Sequence, residues 1–275
     1  MRLFIFVKLF FLLTCLVACN KFNKIQKSND YEYKLSMAED FFLKGKYSKA
    51  QVLYEELFPI FKGTQKFEDL YYKYAYCFYN NRLYKDAENL FKGYLEVFPN
   101  SSKAEEVDFM RAYCFYKQSP KLELEQVNTL KSMAMMQTFI NTHPNSPKIK
   151  EATDIIDKSR LKLEMKEYRG AQLYYNIGEY RAAAIAFNTL LNSYPESLSG
   201  DLYKLMVLKS YYRFAKLSIF EKQEERFEKV INEYQDFADR YPDSKLLDEA
   251  KEYVQLSQNQ IKIIKNEQNT SSTKL

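Results

Sequence analysis

The sequence predicts an all-α fold built from repeated antiparallel helix pairs, and three observations carry that prediction. Glycine and proline are scarce, 6 and 7 in 275 residues, well under their usual shares of roughly 7% and 5%. Sandwiches and glycine-loop nucleotide folds need more turn residues than this. The pentapeptide Ala-Tyr-Cys-Phe-Tyr occurs at 75–79 and again at 112–116, 37 residues on. An aromatic or His, then Pro, one residue and Ser recurs at Phe98-Pro99-Asn100-Ser101, His143-Pro144-Asn145-Ser146, Tyr194-Pro195-Glu196-Ser197 and Tyr241-Pro242-Asp243-Ser244, with prolines 45, 51 and 47 residues apart. Phe58-Pro59 is a degenerate earlier member. The residue before a proline avoids the helical region, so each proline marks a helix end. The Ser or Asp beyond it suits the N-cap of the next helix.

From the N-terminus, residues 1–18 read as an export signal. A basic start precedes an apolar run, Leu9 to Val17, too short to cross a bilayer as a helix but suited to a signal peptide. It ends Leu16-Val17-Ala18-Cys19, which resembles the bacterial lipobox. That resemblance implies that Cys19 is the lipidated N-terminus of the mature chain, since two or more acyl chains anchor stably where one does not. The alternative is an ordinary signal peptide with an incidental cysteine. Residues 19–30 are polar and basic without a structural period, a short tether. Asn20 after the cysteine permits outer-membrane sorting by resemblance to enteric lipoproteins, and no acidic run resembling a surface-export signal follows Cys19, so the body is expected on the periplasmic face. Removing residues 1–18 takes Arg2 and Lys8, leaving 39 basic against 36 acidic groups. That near balance gives no reason to propose a nucleic-acid partner.

Residues 31–265 carry the repeats. Ala38 and Ala50, Ala75 and Ala87, and Ala171 and Ala183 are each 12 apart, with Tyr54, Phe91 and Phe187 four residues further on. Small residues let two helices approach, and an aromatic one turn away fills the space beside them. Gly45-Lys46-Tyr47, Asn81-Arg82-Leu83-Tyr84 and Gly178-Glu179-Tyr180 are the turns between paired helices. The pattern resembles the tetratricopeptide repeat (TPR). It implies a superhelix of about five TPR helix pairs at 31–61, 66–99, 102–144, 148–195 and 200–242, plus a C-terminal helix at about 244–265. Insertions near Ser119–Thr129 and Ser218–Arg226 lengthen the third and fifth pairs. The polar residues 266–275 read as a disordered tail.

Chemistry-bearing candidates are few. His143 is the single histidine and stands where other repeats place Phe98, Tyr194 and Tyr241, so it reads as a helix-end packing residue. No phosphate-loop, nucleophile-elbow or Cys-x-x-Cys pattern appears, and no metal, cofactor or catalytic residue is expected. Cys77 and Cys114 hold the same repeat position. Stacked helices sit about 8–10 Å apart, beyond the roughly 7 Å a disulfide allows, which favours two buried thiols over a bridge. Glu221–Arg226 reads as a solvated helix face. In TPR arrays the first helix of each pair lines the groove. Projected onto this chain, that geometry puts Phe42, Tyr72, Tyr76, Tyr79, Phe109, Tyr113 and Tyr116 on or near it. They are either a peptide-binding surface or core packing.

Lipobox, tether and five repeats together resemble the BamD (YfiO) family of outer-membrane lipoproteins. The stretch Arg160 to Pro195, a long helix running into Glu167-x-x-x-Ala171-x-x-Tyr174, a Gly-Tyr turn and an Ala-rich helix ending Tyr194-Pro195, is the most telling part of the likeness. The family implies a non-enzymatic subunit of the β-barrel assembly machinery. Its partners would be a BamA-like POTRA-domain protein, reached through C-terminal repeats, other assembly subunits, and unfolded outer-membrane proteins, whose C-terminal targeting strand would meet the N-terminal repeats. Tyr211-Tyr212-Arg213-Phe214 departs from the pattern where a small residue is expected, which weakens the transfer of contacts to the last repeats. Two other readings stay open: another TPR lipoprotein scaffold, such as a pilotin-like factor for secretins, and a SusD-type nutrient-binding lipoprotein. Short length and the lack of Trp count against the second.

Overall fold

The computed structural model describes residues 21–272, which contain helices and turns and no strand. Residues 21–26 form a short helix, α1. Five antiparallel pairs follow: α2 (Tyr31–Leu43) with α3 (Tyr47–Phe61), α4 (Phe67–Asn80) with α5 (Tyr84–Val97), α6 (Ala104–Lys117) with α7 (Val127–Thr142), α8 (Ile149–Asn176) with α9 (Tyr180–Ser193), and α10 (Gly200–Lys216) with α11 (Phe220–Arg240). The closing helix is α12 (Leu247–Ser272). The chain divides into two units, with the division between Ser159 and Arg160 inside α8. No described helix is long and apolar enough to cross a membrane.

The tetratricopeptide pairing is borne out residue by residue. Ala38, Ala50, Ala75, Ala87, Ala171 and Ala183 are all buried, as are Tyr54, Phe91 and Phe187. In the first unit one core joins α1 to α8, from Ile25 to Ile155. The second unit holds two clusters, one around Phe187 and Tyr203 and one around Phe227 and Phe237. In the fifth pair Val230 takes the place, 12 residues before its proline, that Ala87 and Ala183 take in theirs, and it is fully buried.

Each repeat proline stops a helix the same way. Phe98, His143, Tyr194 and Tyr241 sit at φ between −125° and −132° and ψ between 56° and 63°. That is off the helical region, as the residue before proline must be. Pro59 differs. It lies inside α3, which runs on to Phe61, so the first pair does not end at Phe58-Pro59. A proline so close to a helix end forfeits a single backbone bond.

The Pro-x-Ser serines, expected as N-caps, do something else. Each hydroxyl donates to a carboxylate on the first helix of its own repeat. Ser101 bonds Glu68 at 2.6 Å and Ser244 bonds Asp201 at 2.6 Å, while Ser146 bonds Glu105 and Ser197 bonds Glu164. The same oxygens accept the N–H two residues on, from Lys103, Lys148, Ser199 and Leu246 at 3.0–3.1 Å. The motif is a staple that ties the turn between repeats to the preceding hairpin. Hydrogen bonds from Ser101 and Tyr94 hold the Glu68 carboxyl below its usual range. Ser101→Ala is expected to cost about 1 kcal/mol, because Glu68 keeps Tyr94 as a donor, and urea unfolding measures it.

Three other expectations change. The tether is not structureless beyond residue 20: Ile25 is buried, Phe22 packs on Phe41 with ring centroids 5.8 Å apart, and Gln26 donates to Glu56 at 2.9 Å. Only the insertion after Lys117 is a loop, ordered by the Gln126 amide donating to the Lys121 and Leu124 carbonyls. Ser218–Arg226 instead adds helical turns to α11. The closing helix passes 265 and reaches Ser272, so 266–272 are helical where a disordered tail is expected.

Candidate peptide-binding site

Helices α4 and α6 carry aromatics at the same offsets, Tyr72, Tyr76 and Tyr79 on one and Phe109, Tyr113 and Tyr116 on the other. Spacings of four and three residues place each set along one helix face. The opposite face of α4, with Leu70, Tyr71, Tyr74 and Cys77, is turned into the core. This leaves Tyr72, Tyr76, Tyr79, Tyr113 and Tyr116 half-buried.

Their rings form a continuous row. Centroid separations are 4.7 Å from Tyr72 to Tyr76, 6.2 Å to Tyr79, 6.3 Å across to Tyr113 and 5.7 Å to Tyr116. All lie within the range of favourable aromatic pairing. Tyr76 also packs edge-on against Phe91 at 5.3 Å, which fixes the row on the core. Both Tyr72 and Tyr76 donate their hydroxyls to Glu106 Oε1, at 2.9 and 2.5 Å. Burial, reinforced by Glu106, pushes the Tyr72 phenol up to about 12 and the Tyr76 phenol higher. Burial also takes Tyr79 up to about 12. Tyr72, Tyr76 and Tyr79 are therefore neutral at physiological pH.

A charged frame borders it. Lys103 Nζ stands 4.8 Å over the Tyr72 ring and pairs with Asp69 at 2.8 Å. Lys73 bridges Asp69 at 2.6 Å and Glu39 at 2.9 Å. Burial would raise the Asp69 carboxyl, but hydrogen bonds from Lys103 and Lys73 hold it below its ordinary value. Lys117 covers Tyr113 at 5.6 Å.

Two of the expected groove residues fall outside this row. Phe109 is fully buried against Phe139 at 5.5 Å, so it is core and offers no surface. Phe42 is half-buried at the end of α2 with its ring on Tyr47 at 5.6 Å. Cys19 lies outside the described residues. Glu106 and Lys103 were not singled out by sequence, although they stand three and six residues before Phe109. Cys77 and Cys114 are free and buried, with burial pushing both thiols up to about 12. His143 packs on Phe139 at 5.0 Å, with Nε2 3.5 Å from an Asp108 oxygen. Among the described residues no cluster of His, Cys, Asp and Glu is arranged to hold a metal.

In the second unit a cavity of about 470 Å³ is lined by Arg181, Tyr211, Phe214, Arg226 and Lys229. The Arg226 guanidinium stacks on Phe214 at 4.1 Å, so this part of Glu221–Arg226 is not a solvated face.

Comparison with known proteins places the chain. Among solved structures, the TPR2AB domain of yeast Sti1 in its complex with pHSP90 matches at 12% identity and TM-score 0.39, covering 88% of this chain and 95% of that one. A Podosopora anserina protein described as a kinesin light chain with nearly identical TPR-like repeats matches at 10% identity and TM-score 0.32, covering 74% and 93%. A point variant of that protein matches at 10% identity and TM-score 0.33, covering 78% and 96%. No curated protein matches. A family model described as YfiO, outer membrane lipoprotein, matches residues 32–224, well over half the sequence and every hairpin from α2 to the start of α11. The chain belongs to the YfiO (BamD) family of outer membrane lipoproteins.

Proposed function

We propose that the mature protein is anchored in the outer membrane by acyl groups on Cys19, faces the periplasm, and acts as a non-enzymatic scaffold in β-barrel protein assembly. In this reading the C-terminal repeats dock on a BamA-like POTRA-domain protein. The row of five tyrosines receives an extended segment of an unfolded outer-membrane protein that ends in an aromatic residue. Family membership and the lipobox support the anchor and the machinery. The tyrosine row is the observation that carries the client site. Its half-buried rings keep part of their surface exposed while the Tyr72 and Tyr76 hydroxyls are committed to Glu106, so recognition would run through aromatic ring contacts, about 0.5–1.5 kcal/mol per pair. Main-chain contacts of an extended peptide would add to it.

The test has two arms. Replacing Tyr72, Tyr76 and Tyr113 with Ala is expected to weaken binding of a peptide copied from a barrel protein's last strand by about tenfold, or ~1.4 kcal/mol, in fluorescence anisotropy. Helicity by circular dichroism should stay unchanged, and Tyr113→Ala alone serves if the triple variant unfolds. Unchanged affinity in a folded variant sinks the client site. A pull-down of the lipidated protein from gently solubilised outer membrane checks the machinery. A POTRA-bearing barrel protein at equal stoichiometry supports the reading, whereas a secretin in its place transfers the chain to the pilotin-like class.

A further inference from the structure

One edge of the first unit is left unexplained by client binding. The earliest described residues arrive there. Phe22 packs on Phe41, two residues before the end of α2, and Lys49 at the start of α3 lies 5.4 Å over the Phe22 ring. Four residues later Gln26 reaches Glu56, far along α3. Helix α1 therefore begins at the α2–α3 turn and runs away from it. The edge continues through the next two hairpins, for Ser48 donates to Asn81 at 3.1 Å, and Lys117 lies 6.0 Å over Tyr84.

This edge presents aliphatic side chains to solvent at each hairpin: Leu43 is 83% exposed, Leu83 42% and Val127 51%. Lys46, Arg82 and Lys121 are exposed among them and form no ion pair with described residues. Arg82 is also strained. Its φ is +64°, where the equivalent turns use Gly45 at +68° and Gly178 at +88°. A side chain is disfavoured in this left-handed region, and a strained outlier on a surface points to a use for its charge. On the opposite edge Lys66 pairs with Glu32 and Lys103 with Asp69.

We propose that this turn edge of the first unit lies on the phospholipid surface in which Cys19 is anchored. Leu43, Leu83 and Val127 would enter the headgroup region, and Lys46, Arg82 and Lys121 would face anionic lipid phosphates. The proposal rests on the acylation of Cys19 proposed above. Cys19 precedes Lys21 by two residues, which span about 7 Å at most. An acylated Cys19 must therefore lie beside the start of α1, and the bilayer must lie beside this edge. Exposed aliphatic groups with unpaired cations near them are what binding at a lipid interface uses.

The chain has no Trp, so a single introduced one reports on its own surroundings. The full lipidated chain would be prepared as Leu43→Trp, Leu83→Trp and, as a control on the other edge, Val97→Trp, which is also about half exposed. Each would be reconstituted on vesicles of phosphatidylethanolamine and phosphatidylglycerol (3:1) containing a dibrominated acyl chain. Leu43→Trp and Leu83→Trp are expected to be quenched at least twofold more than Val97→Trp. Adding Lys46→Glu, Arg82→Glu and Lys121→Glu should abolish the difference while the protein stays on the vesicle. Acylated, vesicle-bound protein with equal quenching at all three sites overturns the edge alone. A Cys19 peptide without acyl mass in mass spectrometry overturns the anchor, and the edge with it.

Discussion

Lys204→Met is expected to destabilise the second unit by about 3–5 kcal/mol, measured by urea unfolding followed at 222 nm. Lys204 is 2% exposed on α10, and its Nζ sits 2.5 Å from both Glu233 and Asp236, one turn apart on α11. Methionine keeps the stem's volume and removes the charge, so the loss comes from the acids left behind. Glu233 is itself buried and retains only Lys229, at 2.7 Å. Replacing Glu233 with Leu in the same chain removes the stranded charge and is expected to restore most of the loss, since well-packed apolar groups replace buried pairs at little cost. The pH dependence follows in sign. Burial would raise the Glu233 carboxyl, but hydrogen bonds from Lys204 and Lys229 hold it below its ordinary 4.5. Asp236 is likewise held below 3.8, chiefly by its hydrogen bond to Lys204 against the effect of burial. Groups with depressed folded pKa values contribute stability above their unfolded values and lose it as pH falls through the folded ones. The native unit should therefore begin to weaken below about pH 4.5, and Lys204→Met should show a shallower acid limb.

The repeat frame was legible because it is written in local spacings. Alanines 12 apart with an aromatic four further on, and an aromatic before each proline, are constraints within one hairpin. All five pairs fall where those spacings put them. What escaped was set by side-chain contacts between helices. Phe109 and Tyr113 share one face of α6, yet Phe139 of α7 closes over the first and leaves the second half-open. No period on α6 distinguishes them. The staple from Ser101 to Glu68 spans 33 residues, and its signal was a recurring acid about one repeat before each Pro-x-Ser. Lys204 did leave a local trace as a lone charge within Leu202-Tyr203-Lys204-Leu205-Met206-Val207-Leu208, and its two acids stand 29 and 32 residues on. The tether misled for the opposite reason. Phe22 and Ile25 are too few to show a helical period, and only the first hairpin's apolar side gives them a reason to fold.

Gly93→Ala is expected to destabilise the first unit by about 2 kcal/mol, although alanine is the better helix former. Gly93 lies inside α5, where glycine costs about 1 kcal/mol relative to alanine. The Tyr71 hydroxyl occupies the space a Cβ would need, with ring carbon Cζ 3.5 Å away. Tyr71 cannot give way easily, because Phe58, Phe67 and Tyr94 hold its ring at centroid distances of 4.7, 5.7 and 5.8 Å. Overpacking at a site held this tightly costs about 3 kcal/mol, of which the propensity gain returns about one. Tyr71→Phe deletes the clashing oxygen alone and leaves Cζ at ordinary contact distance from the new methyl. Gly93→Ala in the Tyr71→Phe background is therefore expected to stabilise by about 1 kcal/mol, so the same substitution changes sign and the double-mutant cycle reports a coupling near 3 kcal/mol. Equal effects of Gly93→Ala in both backgrounds would show that the ring moves freely and that the aromatic cluster does not fix α4 against α5. The distinction bears on client binding, since Tyr72 follows Tyr71 on the same helix. If the cluster is rigid, Gly93→Ala alone should also weaken peptide binding at the tyrosine row, and the double variant should recover it.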